Sequence, residues 1–130
     1  MASFTDYTEN KVLDHVVGKT SFTMPSIWIA LFTAAPSDTG GGTEATGGSY
    51  ARKSTAGADW AAASGGATSN AAAITFVTPS ASWGTVTHFA LMDASTAGNM
   101  IAWSSLTTPQ AIGTGNTVSF AIGELDVTLT

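Results

Sequence analysis

The stretch WGTVTHFALMDASTAGNMIAWSSL at residues 83–106 decides the predicted fold. Its two runs at 86–92 and 100–106 are rich in β-branched and aromatic residues, and a short polar segment at 93–99 separates them. That segment contains glycine and asparagine, which favour turns. The pattern is typical of a β-hairpin with a longer connecting loop.

Side chains alternate between the two faces of a β-strand, so the faces of the hairpin are predictable. We expect Phe89 and Leu91 to share one face of the first strand, and Ile101 to share a face with Trp103 on the second. A two-stranded hairpin is only marginally stable in water. The remaining chain must therefore supply a second layer against its apolar face.

Other alternating runs supply that layer. Residues 27–33, IWIALFT, are apolar on both alternating sets, which predicts a strand covered on both sides. Residues 50–54 suit a short edge strand, and apolar alternation returns at 70–77. The runs at 117–122 and 124–130 place Val118, Phe120 and Ile122 on one face and point Leu125, Val127 and Leu129 inward. About seven to eight short strands of this kind predict an antiparallel β-sandwich.

One segment near the N-terminus has helical spacing. Within residues 5–17, Val12 stands four positions from Val16 and Leu13 four from Val17, and Gly18 suits a left-handed C-terminal cap. A helix of about a dozen residues is marginal on its own, so it must dock on its own sheet or on a neighbouring chain. We divide the single domain, residues 1–130, into an N-terminal helix and arm at 1–22 and a sandwich at 23–130.

Composition limits the possible partners. The chain has 130 residues, of which only 10% are charged, with a net charge of −5 and no cysteine. Nucleic-acid binding requires Lys and Arg to neutralise phosphates, so we expect no nucleic-acid partner. The chain has no apolar run of membrane-spanning length and no secretory signal at its start, so we expect no membrane partner. Many small neutral residues suit packing against other protein, or an ordinary soluble domain with a Ser/Thr-rich β surface.

Residues that commonly carry catalysis are few. His88 and Asp93 are five positions apart, which puts them on opposite faces of a regular strand, and His15 suits packing or capping. Glu124 and Asp126 share a strand face, where paired carboxylates serve some glycosidases, although exposed carboxylates also keep such a face solvated. The glycine-rich segments lack the Lys-Ser/Thr ending of a phosphate-binding loop. We therefore expect no catalytic residue, no metal site and no cofactor.

Five stretches together resemble a family of small all-β structural proteins of tailed bacteriophages, whose members are often labelled tail-fibre-like. They are LDHVVG at 13–18, IWIALFTAAPSDTGGGTEATGGSYARK at 27–53, TSNAAAITF at 68–76, WGTVTHFALMDASTAGNMIAWSSL at 83–106 and NTVSFAIGELDVTL at 116–129. The resemblance rests on order and spacing over nearly the whole chain. Similar proteins serve as capsid cement or decoration proteins, so the resemblance implies a jelly-roll-like sandwich without catalytic residues.

The resemblance further implies a structural role in the virion. We expect a cement protein on the exterior of the phage head, where it bridges subunits of the major capsid protein and stabilises the shell. A compact domain without a coiled-coil shaft or a repeat suits the head better than an elongated fibre. The protein is expected to be made in the host cytoplasm and to form a homo-oligomer, either a dimer or a trimer.

Large side chains on three elements are the expected contacts with partner proteins. Phe4 and Tyr7 form the aromatic N-terminal end of the helical segment, Trp28 belongs to the strand with two apolar faces, and Tyr50 and Arg52 belong to the edge strand. Each of them also has a core-packing interpretation.

Two other functions remain open at this point. The first is a tail-fibre or tail-tip component that binds a host-surface receptor or glycan through Trp60 and the loop at 38–49, although a tryptophan in such a stretch commonly folds back onto its own domain. The second is a small glycan hydrolase that uses Glu124, Asp126 and His88.

Overall fold

The predicted hairpin forms the centre of the larger of two β-sheets. The structure is a computed structural model and describes residues 1–129. The hairpin strands span Gly84–Met92 and Met100–Ile112. Between them, the carboxylate of Asp93 accepts hydrogen bonds from the backbone and side-chain N–H groups of Asn99 at 2.7 and 2.9 Å. The hairpin prediction is confirmed, and Asp93 closes its loop.

Ten strands, one α-helix and a 3₁₀ helix at Gly57–Asp59 make up the secondary structure of the described residues. They are β1 (Ala2–Phe4), α1 (Asp6–Val16), β2 (Trp28–Ala34), β3 (Thr43–Glu44), β4 (Lys53–Ser54), β5 (Ala67–Ser69), β6 (Ile74–Thr75), β7 (Gly84–Met92), β8 (Met100–Ile112), β9 (Ser119–Phe120) and β10 (Asp126–Thr128). The large sheet has eight strands in the order β3-β2-β7-β8-β1-β10-β5, with β4 beside β2, and β6 pairs with β9 in a sheet of two.

The prediction of an all-β sandwich with one short N-terminal helix is confirmed. Among residues 1–129 the pairs are antiparallel except for β1 and β10, which run parallel. The strand count exceeds seven to eight because several segments of two or three residues pair separately. Strand β1 lies between β8 and β10, so the start of the segment predicted as an arm belongs to the large sheet.

Strand β2 is covered on both faces, as its sequence predicts. Ile29 and Leu31 belong to the main hydrophobic core between the sheets. Ala30 and Phe32 belong to a smaller cluster on the opposite face, together with Met92 and other residues. Because all four residues of this strand segment are buried, β2 separates two apolar layers.

Aromatic side chains fill the main core between the large and the small sheet. The ring centres of Phe120 on β9 and Phe89 on β7 are 5.6 Å apart, and those of Phe76 and Trp83 are 6.4 Å apart. The indole of Trp83 is fully buried and donates a hydrogen bond to the carbonyl of Gly48 at 2.8 Å. The small sheet is thus the second layer that the hairpin requires.

A β-bulge at Ile101 changes which side chains share a face of β8. Leu91 pairs with Ala102 but Met92 pairs with Met100, so Ile101 is an extra residue in the ladder. Ile101 packs in the main core, whereas Trp103 packs against the smaller cluster. The prediction that these two side chains share a face is therefore wrong, because an inserted residue reverses the alternation.

A second irregularity lets β8 continue through a proline. Val86 pairs with Gln110 and His88 with Ser105, so the register shifts around Pro109. Proline lacks a backbone N–H and is tolerated at a bulge, where no ladder hydrogen bond is required of it. The strand consequently extends past the predicted end at residue 106 to Ile112.

Helix α1 is held on the sheet by two buried threonines. The Thr5 hydroxyl donates to the carbonyl of Met100 at 2.5 Å, and the Thr8 hydroxyl donates to the carbonyl of Ile101 at 2.8 Å. The backbone N–H of Thr5 also donates to the Ile101 carbonyl, at 3.0 Å. The N-terminal turn of α1 therefore docks on its own sheet, at the bulge.

The two C-terminal runs are only partly buried. Leu125 and Val127 point inward as predicted. Ile122 lies in the turn that follows β9, and Leu129 lies beyond the end of β10, so both side chains are exposed. For these two the prediction is wrong, because strand alternation ends where the ladder ends.

We expect the substitution Thr8→Val to lower the free energy of unfolding by about 1–2 kcal/mol, because valine has the same shape but cannot donate to the Ile101 carbonyl. Urea unfolding followed by tryptophan fluorescence measures the effect. The matched control is Thr23→Val at an exposed position, which should change stability by less than about 0.5 kcal/mol. Equal effects of the two substitutions would contradict this role of Thr8.

Candidate functional site

Arg52 joins three parts of the chain at one end of the sandwich. Its guanidinium donates to both carboxylate oxygens of Glu44, with N···O distances of 2.8 and 2.9 Å. It also donates to the carbonyls of Ala94 and Ala97 in the hairpin loop at 2.7 and 2.8 Å. The Arg52 side chain is only 6% exposed. A planar fork of donors suits such a set of acceptors, so Arg52 ties β3 to the hairpin loop.

Tyr50 completes this network. Its hydroxyl donates to the Glu44 carboxylate at 2.8 Å and accepts from the backbone N–H of Leu31 at 3.0 Å. Burial alone raises the pKa of Glu44, but hydrogen bonds from Arg52 and Tyr50, with the charge of Arg52, outweigh it and hold that pKa below its usual value. Burial, with the adjacent carboxylate, raises the pKa of Tyr50. At neutral pH the network is therefore a carboxylate held by one guanidinium and one neutral phenol.

The Glu44 and Arg52 pair lines a cleft of about 480 Å³ at this end of the molecule. Its floor consists of three buried apolar side chains from the smaller cluster, Phe32, Met92 and Met100. Its rim carries polar and aromatic groups from α1, the glycine-rich loop and the hairpin loop: Asp6, Tyr7, Asp38, Thr39 and Asn99. The cleft thus combines an apolar base with a polar edge, the usual composition of a small-molecule site.

The rim of this cleft is fixed by hydrogen bonds. The backbone N–H of Asp6 donates to the carbonyl of Asp38 at 3.0 Å, which joins the start of α1 to the glycine-rich loop. The indole N–H of Trp103 donates to the Asp38 carboxylate at 3.3 Å. Ser37 and Gly40 exchange two backbone hydrogen bonds at 2.9 Å each. These contacts preorganise the cleft, which lowers the entropy cost of binding.

The charges around the cleft select its ligand chemistry. Three carboxylates line it, those of Asp6, Asp38 and Glu44, against the single guanidinium of Arg52. Because that guanidinium already pairs with Glu44 and two carbonyls, an anionic ligand would meet net negative charge. A neutral ligand with many hydroxyl groups suits these acceptors, and its C–H faces suit the apolar floor.

Helix α1 presents a second candidate surface, which we call the outward helix face. It consists of Leu13, Val16 and Val17, whose side chains are 61%, 73% and 73% exposed. Two apolar pairs predicted the docking face of the helix. Leu13 and Val17 form one of them, and Val16 belongs to the other. The helix docks instead through Thr8, so most of its apolar stripe faces away from the sheet. Apolar residues grouped in this way commonly mark a protein contact.

The five residues predicted as contacts with partner proteins, and Trp60 predicted for receptor binding, lie at separate places. Tyr50 and Arg52 belong to the internal network, and Tyr7 lines the cleft, where Lys11 lies 5.7 Å from the centre of its ring. Phe4 is half-buried against the main core.

Trp28 is half-buried against the smaller cluster. Trp60 is half-buried against the main core, and its indole N–H donates to the Thr55 hydroxyl at 3.0 Å. The structure therefore brings Tyr7 and Arg52 to one cleft and leaves Trp60 outside its lining. A partner contact through any of these residues stays a prediction.

The residues considered for hydrolysis make local structural contacts. The Glu124 carboxylate accepts a hydrogen bond from the backbone N–H of Ala121 at 2.7 Å and closes the turn after β9. His88 lies 2.7 Å from the Thr87 hydroxyl through Nδ1, and its ring lies 5.9 Å from that of Trp103. Both side chains thus have roles within the fold.

Sequence reasoning named the loop at 38–49 for glycan binding but did not single out Asp38 or Glu44 within it. Both lie in the glycine-rich segment, which has no periodicity that predicts where a side chain points. One signal was available, since the single arginine of a chain with so few charges is expected to find an acidic partner. Glu44 and Asp59 lie at similar sequence distances from Arg52, however, and only the pairing of β3 with β2 decides between them.

Residues 1–129 contain no candidate metal-binding cluster and no candidate membrane-spanning helix. No group of three or more His, Asp or Glu side chains there is arranged to hold a metal ion. In the same range no helix has the length and apolar character needed to cross a membrane.

The chain is similar to a known protein family. The sequence profile of a family described as "Podophage GP4 fiber I protein gp80" matches residues 3–128, which is nearly the whole chain. No curated protein matches the chain significantly.

We expect the acid stability of the protein to depend on Glu44. Because the pKa of Glu44 is lowered in the folded state, its contribution is fully present above the usual carboxyl value of 4.5 and is lost as the pH falls through the lower folded value. Glu44→Gln should therefore reduce stability at neutral pH by about 2 kcal/mol and weaken the pH dependence below about pH 5.

Urea unfolding from neutral pH to about pH 3 measures this effect. The matched control is Glu9→Gln on the exposed surface of α1, which should keep the wild-type profile. A Glu44→Gln profile parallel to that of the wild type would contradict the account of the network.

Proposed function

This chain belongs to the podophage GP4 fiber I protein gp80 family and is therefore a structural protein of a tailed-phage virion, and we propose that it is a fibre or tail-tip component that binds a host-surface carbohydrate. The family match supports the fibre position better than the head-decoration role expected from the resemblance. That role, with the major capsid protein as partner, has no support from the match.

The cleft is the structural feature that supports the proposed binding role. Its apolar floor of Phe32, Met92 and Met100 suits the C–H faces of a sugar ring. The carboxylates of Asp6 and Asp38 accept hydrogen bonds from sugar hydroxyl groups, and the Asn99 amide both donates and accepts. A neutral carbohydrate fits this lining, whereas a phosphorylated or sialylated one meets like charge.

Binding through such a cleft does not require high affinity. The polar groups at the rim are exposed to solvent, so each site binds weakly. Several copies on one virion raise the overall strength through multivalency, because later contacts form at high effective concentration. In this proposed role the protein only binds the carbohydrate, which leaves the site chemically unchanged.

The position in the virion is tested by fractionation. Purified particles are separated into DNA-filled heads and tails, and the protein is quantified in each fraction by mass spectrometry against portal and major capsid protein. We expect the protein to be confined to the tail fraction, at a copy number set by the tail symmetry. Copies on the head in proportion to the major capsid protein would overturn the fibre position and support the head-decoration role.

The binding site is tested by filling the cleft. Thr39→Trp places a large side chain at an exposed rim position, and we expect it to abolish binding of purified protein to host cells. Thr96→Trp makes the same change at an exposed hairpin-loop residue outside the lining and should bind like the wild type. Circular dichroism establishes that both variants fold.

A neutral glycan array then identifies the ligand, and mass spectrometry of the recovered glycan tests for cleavage. Equal binding by the two tryptophan variants would overturn the assignment of the cleft. Cleavage of the glycan would overturn the binding-only role and would support the interpretation of the protein as a hydrolase.

A further inference from the structure

The outward helix face is self-complementary, and we propose that it binds the same face of a second copy of this chain, with the two helices antiparallel about a twofold axis. The outward helix face shares no residue with the lining of the carbohydrate cleft. Helix α1 has a fixed position, because Thr5 and Thr8 hold its N-terminal turn at the bulge, while the apolar residues near its end remain exposed.

Charge distribution along the helix determines which arrangement of two copies is favourable. On the outward side, Glu9 precedes the apolar residues by one helical turn, because side chains four positions apart share a face. Lys19 follows the apolar residues directly beyond the helix end, and both charged side chains are exposed. From its N-terminal to its C-terminal end the face is therefore acidic and then apolar, and an exposed lysine follows it after the turn at Gly18.

An antiparallel second copy satisfies this pattern. Leu13 of each chain then meets Val16 of the other, and Glu9 of each meets Lys19 of the other, so a twofold axis repeats every contact. Antiparallel helix dipoles add a favourable term. A parallel arrangement, as in a threefold bundle, would place Glu9 beside Glu9 and Lys19 beside Lys19, which is unfavourable. The charge distribution thus favours a second copy of this chain as the partner of the outward helix face.

Sedimentation velocity over a concentration series tests the apolar part of this interface. We expect the wild-type chain to dimerise, and Leu13→Asp to weaken dimerisation by about 30-fold or more, because it places a charge at the centre of an apolar contact. The matched control, Leu129→Asp, changes an exposed leucine at the other end of the chain and should leave dimerisation unchanged. A wild-type chain that stays monomeric or forms trimers would overturn the proposal.

Charge reversal tests the antiparallel orientation. Glu9→Lys and Lys19→Glu should each weaken self-association by about tenfold, since each places two like-charged pairs in the dimer. Mixing these two variants should restore association as a heterodimer, because each Lys then meets a Glu across the interface. Lys53→Glu, on the exposed strand β4, is the control and should behave as the wild type. Failure of the mixture to associate would overturn the antiparallel arrangement, whatever the outcome of the carbohydrate experiments.

Discussion

The hydrogen bonds from Thr5 and Thr8 to the bulge at Ile101 are the interaction on which the rest of the structure depends. The extra residue in β8 frees carbonyl groups from the regular ladder, and buried carbonyls must find donors. The two threonines supply them and so fix the start of α1 on the sheet. The same bulge sends Ile101 into the main core and Trp103 toward the smaller cluster, so β8 contributes to both apolar faces of the large sheet, as β2 does. One inserted residue therefore affects both the position of the helix and the layer to which each β8 side chain belongs.

The cleft follows from this arrangement. The start of α1 forms one side, the glycine-rich loop bonded to it forms the next, and the hairpin loop tied down by Arg52 forms the third. The single arginine of the chain donates its hydrogen bonds to internal acceptors, so the groups around the opening are acidic or neutral. The charge of the cleft lining is thus a consequence of how the fold satisfies its own polar groups, and under the proposed function it favours a neutral hydroxylated ligand over an anion.

Sequence patterns predict those features of this protein that depend on local alternation. The hairpin, the doubly covered strand β2 and the short helix were predictable, because each follows from the period of its apolar residues. The two faces of β8 were not, since a bulge is set by tertiary packing and reverses the alternation without a sequence signal. Glu44 and Asp38 were missed for a related reason, as their loop positions depend on pairing with distant strands. The covering of the helix stripe stayed open between its own sheet and a neighbouring chain, because periodicity identifies an apolar face but not what covers it.

The proposed fibre role requires one end that faces outward and another that attaches or associates, and the sandwich has distinct surfaces for both. The cleft uses loops beside the N-terminal end of α1, whereas the outward helix face lies toward its C-terminal end. The most direct test of this account is a cryo-electron microscopy map of the intact virion. The account predicts density for the sandwich in the tail fibres, with the cleft open to solvent. Density for the sandwich on the head lattice, bridging major capsid protein subunits, would contradict it.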